Sequence, residues 1–123
     1  MTGRQLFNTA LRLTGLDETA DRSALARLRK MAPVTVNEIV AELFACEHPG
    51  ETFTPVSDLD AALPISEQTA RTAAPYGVLM LLCAADGSVG DGAVYAALYD
   101  RKRAAVAAPA ATRADVLPRG WDA

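Results

Sequence analysis

Histidine occurs once in this chain, cysteine twice and tryptophan once, beside three tyrosines and three phenylalanines. So few chemically versatile side chains leave little material for a metal centre, which needs three or four ligands. Cys46, Glu47 and His48 do adjoin one another at the end of a helical stretch. Residues two apart on a helix face different ways, however, which separates a thiol from an imidazole. Cys46 is therefore read as a packing residue, and His48 as a favourable charge at a helix C-terminus. Cys83 lies in an apolar run and is read as core. The segment Asp86-Gly-Ser-Val-Gly-Asp-Gly invites a calcium-loop reading, but the third, fifth, sixth and twelfth positions are Ser88, Gly90, Asp91 and Ala97. A calcium loop needs oxygen ligands at the third and fifth, a glycine at the sixth and a bidentate glutamate at the twelfth. The segment reads instead as a connection between helices, with Asp91 as the cap of the second. No glycine-rich phosphate loop, HExxH helix or serine elbow is present. The expectation is a protein with no catalytic residues, no metal and no cofactor.

Strand signals are missing as well: no alternating β-branched run is bounded by turn residues. The longest apolar run, Val78 to Ala85, falls far short of the ~20 residues that cross a bilayer. The first residues are polar and charged, unlike a basic-then-apolar export signal. With two cysteines expected as free thiols, these features point to the cytoplasm and away from a membrane.

What the chain has in quantity is alanine, 25 copies in 123 residues, and alanine favours helix. The spacing predicts a helix over Arg4 to Leu13, with Leu6, Phe7, Ala10 and Leu11 as its stripe and Gly15 as a left-handed stop. After a linker from Leu16 to Ala20, Asp21 caps a short helix that reaches Met31 and is closed by Pro33. Leu25 and Leu28 form its apolar face. Thr35-Val36-Asn37-Glu38 fits a capping box opening a third helix, whose stripe is Val36, Ile39, Val40, Leu43 and Phe44. His48-Pro49-Gly50 ends it, and residues 49–56 are a loop. Ser57 to Leu63 is expected to form one or two helical turns. Ser66 opens a further helix, and Pro75 either breaks it or sits in the first turn of the next. Val78 to Ala85, apolar on every face, belongs at the centre of a bundle. The last helix runs from Gly92 to about Ala108 and stops at Pro109. The fold class expected is all-α: one compact bundle of five to six helices over residues 1–108, followed by a flexible C-terminal tail over 109–123.

Charge is distributed unevenly. Residues 1–50 carry six Lys/Arg and six Asp/Glu, residues 51–92 one cation against six acids, and residues 93–123 five cations against three acids. A net charge of −3 argues against a free-standing DNA-binding domain but leaves room for a local basic face within an assembly. Two basic clusters stand out: Arg22, Arg27, Arg29 and Lys30 in the second helix, and Arg101, Lys102 and Arg103 in the last. Each is either a solvated helix surface or a set of phosphate contacts, where guanidinium groups grip the backbone without reading bases. Tyr95 and Tyr99, four apart, either stack on a base or pack on a neighbouring helix.

The segment Asp21-Arg22-Ser23-Ala24-Leu25-Ala26-Arg27-Leu28-Arg29-Lys30 resembles the D-R-G-x-L-A-x-L-R-R segment of the small subunit of Cascade-type CRISPR effector complexes. Val40-Ala41-Glu42-Leu43-Phe44-Ala45 and Tyr76 to Ala85 are similar to the apolar helices that follow in that family. Gly90-Asp-Gly-Ala-Val-Tyr-Ala-Ala-Leu is weakly similar to a later glycine-led helix start. Ser23 stands where the family has glycine, and the family's second helical region is missing or reduced to the tail, which suits a short or divergent form (type IV-like or type I). The resemblance implies a non-catalytic subunit that lines the path of guide RNA and target and touches backbone phosphates. Its implied partners are the RNA-holding filament subunits, neighbouring copies of itself, the guide RNA and the target nucleic acid. That contact would fall on Arg22, Arg27, Arg29 and Lys30; Arg101, Lys102 and Arg103 are added on charge alone. Two other classes stay open: an acidic helical adaptor that docks protein through residues 51–92, and a small thiol-dependent enzyme using Cys46.

Overall fold

The computed structural model describes the backbone of residues 1–116 and the side chains of residues 1–107. Seven α-helices follow one another: α1 (Gly3–Thr14), α2 (Leu16–Thr19), α3 (Arg22–Arg29), α4 (Ala32–Glu47), α5 (Glu67–Thr72), α6 (Ala74–Ala85) and α7 (Gly92–Val116). A 3₁₀ turn at Gly87–Val89 joins the last two. No strand forms among the described residues; Thr2 and Ala62 make an isolated antiparallel bridge. The fold is all-α.

Helix α1 starts as a capping box, in which the Thr2 hydroxyl accepts from the Gln5 N–H and the Gln5 side chain accepts from the Thr2 N–H. It ends on Gly15 at φ 72°, a left-handed position that glycine takes without steric penalty. Its stripe of Leu6, Phe7, Ala10 and Leu11 is buried as expected. Beyond Gly15, residues 16–19 close a single helical turn rather than a bare linker. Asp21 then caps α3, its carboxylate accepting from the Ala24 N–H at 2.7 Å.

Pro33 does not close α3. That helix ends at Arg29, and Pro33 lies in the first turn of α4. Proline's missing N–H costs nothing there, because first-turn N–H groups have no intrahelical partner. The capping box expected at Thr35 is consequently absent. Thr35 is already inside the helix and buried, its hydroxyl donating to the Met31 carbonyl at 2.9 Å. Asn37, expected as a first-turn residue, instead ties down a segment 19 residues away. Its amide donates to the Val56 carbonyl at 2.9 Å, and its carbonyl accepts from the Val56 N–H at 2.5 Å.

That segment, residues 48–66, is a strap across the bundle. Ser57 to Leu63 forms no helix, contrary to expectation; its one turn is closed by the Ala61 N–H on the Asp58 carbonyl. The strap finds its backbone partners on α1 and ahead of it: the Arg4 N–H donates to Leu59 O at 2.9 Å, and the Leu63 N–H to Met1 O at 2.9 Å. Phe53 packs on Phe44, with ring centroids 5.6 Å apart. Phe44 is therefore half-buried under the strap rather than in the core stripe.

Helix α6 is the centre. Pro75 sits in its first turn and starts it, leaving α5 to end just before. It packs on α1, α4, α5 and α7, and Val78, Leu79 and Leu82 are fully shielded. Gly77 permits this crossing: a Cβ there would lie 2.8 Å from Ile39 Cδ1 and Cγ2 and from Tyr99 Cε1. Helix α7 continues past the stop expected at Pro109, as far as Val116. A proline removes one intrahelical hydrogen bond, which a helix can carry as a local defect. The flexible tail expected over 109–123 therefore begins in helix, and its residues 117–123 lie outside the described residues.

Candidate nucleic-acid interface

The first basic cluster lies on a lightly packed helix. Among the eight residues of α3 only Leu28 is buried, and Leu25 adds partial packing against the core. Arg22, Arg27, Arg29 and Lys30 are all exposed. None of them takes part in an ion pair among the described residues. Arg22 and Arg29, two turns apart, share one edge; Lys30 and Arg27 continue round the side opposite the leucines. The charges fan over the solvent half of the helix instead of converging on one point. Asp86, at the end of α6, is held below the usual carboxylate range first by hydrogen bonds from Ser88 and last by the charge of Arg27. Arg27 and Arg29 also stand in the last turn, where cations offset the helix dipole.

The second cluster divides. Lys102 places its Nζ 5.1 Å from the centroid of the Tyr76 ring. Arg103 lies 5.6 Å from the Tyr99 ring centroid, 3.7 Å from Glu42 Oε2 and 3.4 Å from Asp100 Oδ1. Both side chains are half-buried, whereas Arg101 is exposed. Lys102 and Arg103 thus hold α7 to its neighbours, and the sequence run Arg-Lys-Arg is not one surface. Tyr99 resolves the same way: it is buried, and its hydroxyl donates to Glu42 Oε1 at 2.7 Å. Burial, the bond to Glu42 and the charge of that carboxylate push the phenol far above its ordinary value. Tyr99 packs, and it offers no face to a base.

An open cleft of about 780 Å³ lies between the end of α4, the start of α5 and α7, lined in part by Cys46, Glu47, His48, Thr69 and Lys102. Burial raises the Cys46 thiol above its usual range, against the lesser pull of Arg103. That is the reverse of what activates a nucleophilic thiolate. Burial also acts to raise Glu47, but hydrogen bonds from Ser66 and Thr69 outweigh it and hold the carboxyl below the usual range. Glu47 Oε1 accepts from the Ser66 N–H at 2.9 Å and Oε2 from the Thr69 hydroxyl at 2.8 Å, which pins α5 to α4. His48 Nδ1 lies 3.0 Å from Glu51 Oε2. No group of three or more His, Cys, Asp or Glu among the described residues is placed to hold a metal ion.

Folding adds two residues beside α3 that sequence reasoning missed, Arg4 and Asn8. Arg29 lines a notch of about 320 Å³ together with these two side chains of α1, floored by Phe7, Ala32 and Leu59. Arg4 is gripped by Asp60 of the strap, its Nε 2.7 Å and its terminal nitrogen 3.2 Å from the two carboxylate oxygens. No sequence spacing announces this group, because its members come from α1, α3, α4 and the strap. No helix among the described residues is long and apolar enough to cross a membrane. Comparison with protein-family models, curated proteins and solved structures finds no match for the chain, so a functional reading rests on the arrangement of these side chains.

Proposed function

We propose that this chain is a non-catalytic small subunit of a CRISPR RNA-guided effector complex, working in the cytoplasm and touching the phosphate backbone of guide RNA or target through α3. One observation carries the reading: α3 is held by Leu28 and part of Leu25, and presents Arg22, Arg27, Arg29 and Lys30 to solvent without an ion-pair partner among the described residues. Phosphate contact needs free guanidinium groups, and it carries no sequence information. Lys102 and Arg103 are half-buried and engaged by Tyr76, Glu42 and Asp100, so they offer less to a phosphate than the exposed Arg101. The adaptor reading is the weaker one. Two of the six acids of residues 51–92 that would form its docking surface are paired with cations within the chain, Asp60 with Arg4 and Glu67 with Arg71 and the Met1 amine, and Glu51 lies beside His48.

The test is to purify the chain with the products of its neighbouring genes, look for a bound RNA of defined length, and measure target affinity against salt. Arg27→Ala with Lys30→Ala should leave assembly intact and lower the slope of log affinity against log salt by roughly 0.7–0.9 for each phosphate that is no longer neutralised. All target sequences should weaken about equally. A normally assembled double variant with unchanged affinity and slope would refute the role of α3.

A further inference from the structure

Residues 21–30, which carry α3, are held to the bundle by packing alone. Beyond the turn to Met31, no hydrogen bond and no ion pair joins them to another element among the described residues. The packing is itself slight. Leu28 is buried and Leu25 partly so, and α3 alone among the helices makes no broad contact with another element of the described chain. The strap, though irregular, is fastened by hydrogen bonds to Asn37, Arg4 and Met1.

Helical regularity does not supply the missing hold. Eight residues fall below the ~12–15 at which an isolated helix becomes even marginal in water, so α3 is a helix only while its leucines keep it docked. Its charges work against it as well. Four cations stand against one acid, Asp21. Arg22 occupies the first turn, where a cation opposes the helix dipole, and Arg27 and Lys30, three apart, repel each other. The field of Asp86 reaches Arg27, but no ion pair forms between them. Both flanks are anchored independently: α2 packs on α1, and the Met31 carbonyl accepts from the Thr35 N–H and hydroxyl of α4.

We propose that residues 21–30 form an opening unit, which undocks and melts while the rest of the bundle stays folded, and that a phosphate-bearing single strand closes it. Closure rests on the phosphate reading of α3; opening does not. The docked helix presents its cations already ordered, whereas the open segment must pay the ordering entropy on contact. The strand therefore favours the closed state, and docking of α3 and contact with phosphates become one linked equilibrium.

The test is native-state hydrogen exchange on the whole chain, read by NMR in about 20 mM salt, where charge screening is weak. Ala26 to Arg29 are compared with Val78 to Leu82 at the centre of α6. The α3 amides should exchange roughly a hundredfold faster, at a rate that low urea leaves unchanged, because their opening exposes little surface. Leu28→Ala should remove protection from Ala26 to Arg29 and leave Val78 to Leu82 protected, with a helical circular dichroism spectrum. A labelled single strand about twelve nucleotides long, added at about ten times the Kd found by fluorescence anisotropy, should slow the α3 amides about tenfold. Arg27→Ala with Lys30→Ala should abolish that slowing. If wild-type α3 and α6 share one rate and one urea slope, α3 opens only with the whole bundle and the proposal is overturned. A Leu28→Ala variant that is unfolded throughout, or still protected in α3, overturns it too. If the strand binds and slows α6 but not α3, it binds the open and closed segment alike; closure is then refuted and the phosphate reading survives. Absence of strand binding by the wild-type chain also refutes closure, whatever the assembled complex does.

Discussion

Replacing Gly77 by alanine sets two opposed effects of known size against each other. Glycine within a helix is less favourable than alanine by about 0.5–1 kcal/mol, so propensity alone makes the variant more stable. The new methyl would, however, lie 2.8 Å from three atoms, Ile39 Cδ1 and Cγ2 on α4 and Tyr99 Cε1 on α7. Cδ1 is the free end of its side chain and can turn away. Cγ2 sits on a branched carbon with restricted χ1, and the Tyr99 ring is held at its far end by the bond to Glu42. Insertion of a methyl into such a site costs typically about 1–3 kcal/mol, and two stiff neighbours put this one in the upper part of that range. The net expectation is a loss of roughly 1–2 kcal/mol after the gain in propensity. In urea the midpoint should fall by roughly 0.5–1 M without a change of slope. Gly87→Ala is the control: nothing lies within 4 Å of its Cβ position, and the effect should stay within about ±0.5 kcal/mol. In an Ile39→Val background, which removes Cδ1, Gly77→Ala should cost less than in the wild type, a coupling expected between touching residues. A Gly77→Ala variant as stable as wild type, or more so, would refute the close crossing of α4, α6 and α7.

Two further outcomes separate core from strap and carboxylate from neutral amide. Leu43→Ala, at a fully shielded position, should lose about 2–5 kcal/mol. Phe44→Ala, half-buried beneath Phe53, should lose only about 1–2 kcal/mol, in proportion to the area it buries; equal losses from both in urea denaturation would contradict the placement of the strap. Glu47 has its folded pKa lowered, so the stability it contributes is present above the ordinary carboxylate range and is lost as pH falls through the lowered value. Glu47→Gln should therefore flatten the fall of the urea midpoint between about pH 6 and about pH 3, and an unchanged acid profile would show that the bonds to Ser66 and Thr69 are not made in solution.

Helix periodicity and caps were legible without coordinates because they are local. The stripes of α1 and α4, the Asp21 and Ser66 caps, the left-handed Gly15 and the all-apolar α6 each depend on residues within one or two turns of one another. Pro33 and Asn37 show where local reading ends. A proline can close one helix or open the next, and the short connection between α3 and α4 decides which. Asn37 has the same side chain whether it stands in a first turn or bonds Val56, and only the return of the strap supplies the second partner. The run Arg101-Lys102-Arg103 looked uniform because sequence shows charge and not neighbours; Tyr76 and Glu42, far away in the chain, claim two of the three. The opposite holds for α3, whose cations are exposed because the helix shares so little surface with the bundle. The notch of Arg4, Asn8 and Arg29 has no sequence signature at all, since its walls belong to three helices and a strap that meet only when the apolar stripes are buried together. Sequence determined the main helices α1, α3, α4 and α6 and their apolar faces, because backbone hydrogen bonding and side-chain spacing act over a few residues. Tertiary structure decided which polar groups have partners and which face solvent, because that depends on contacts the chain makes only by folding back on itself.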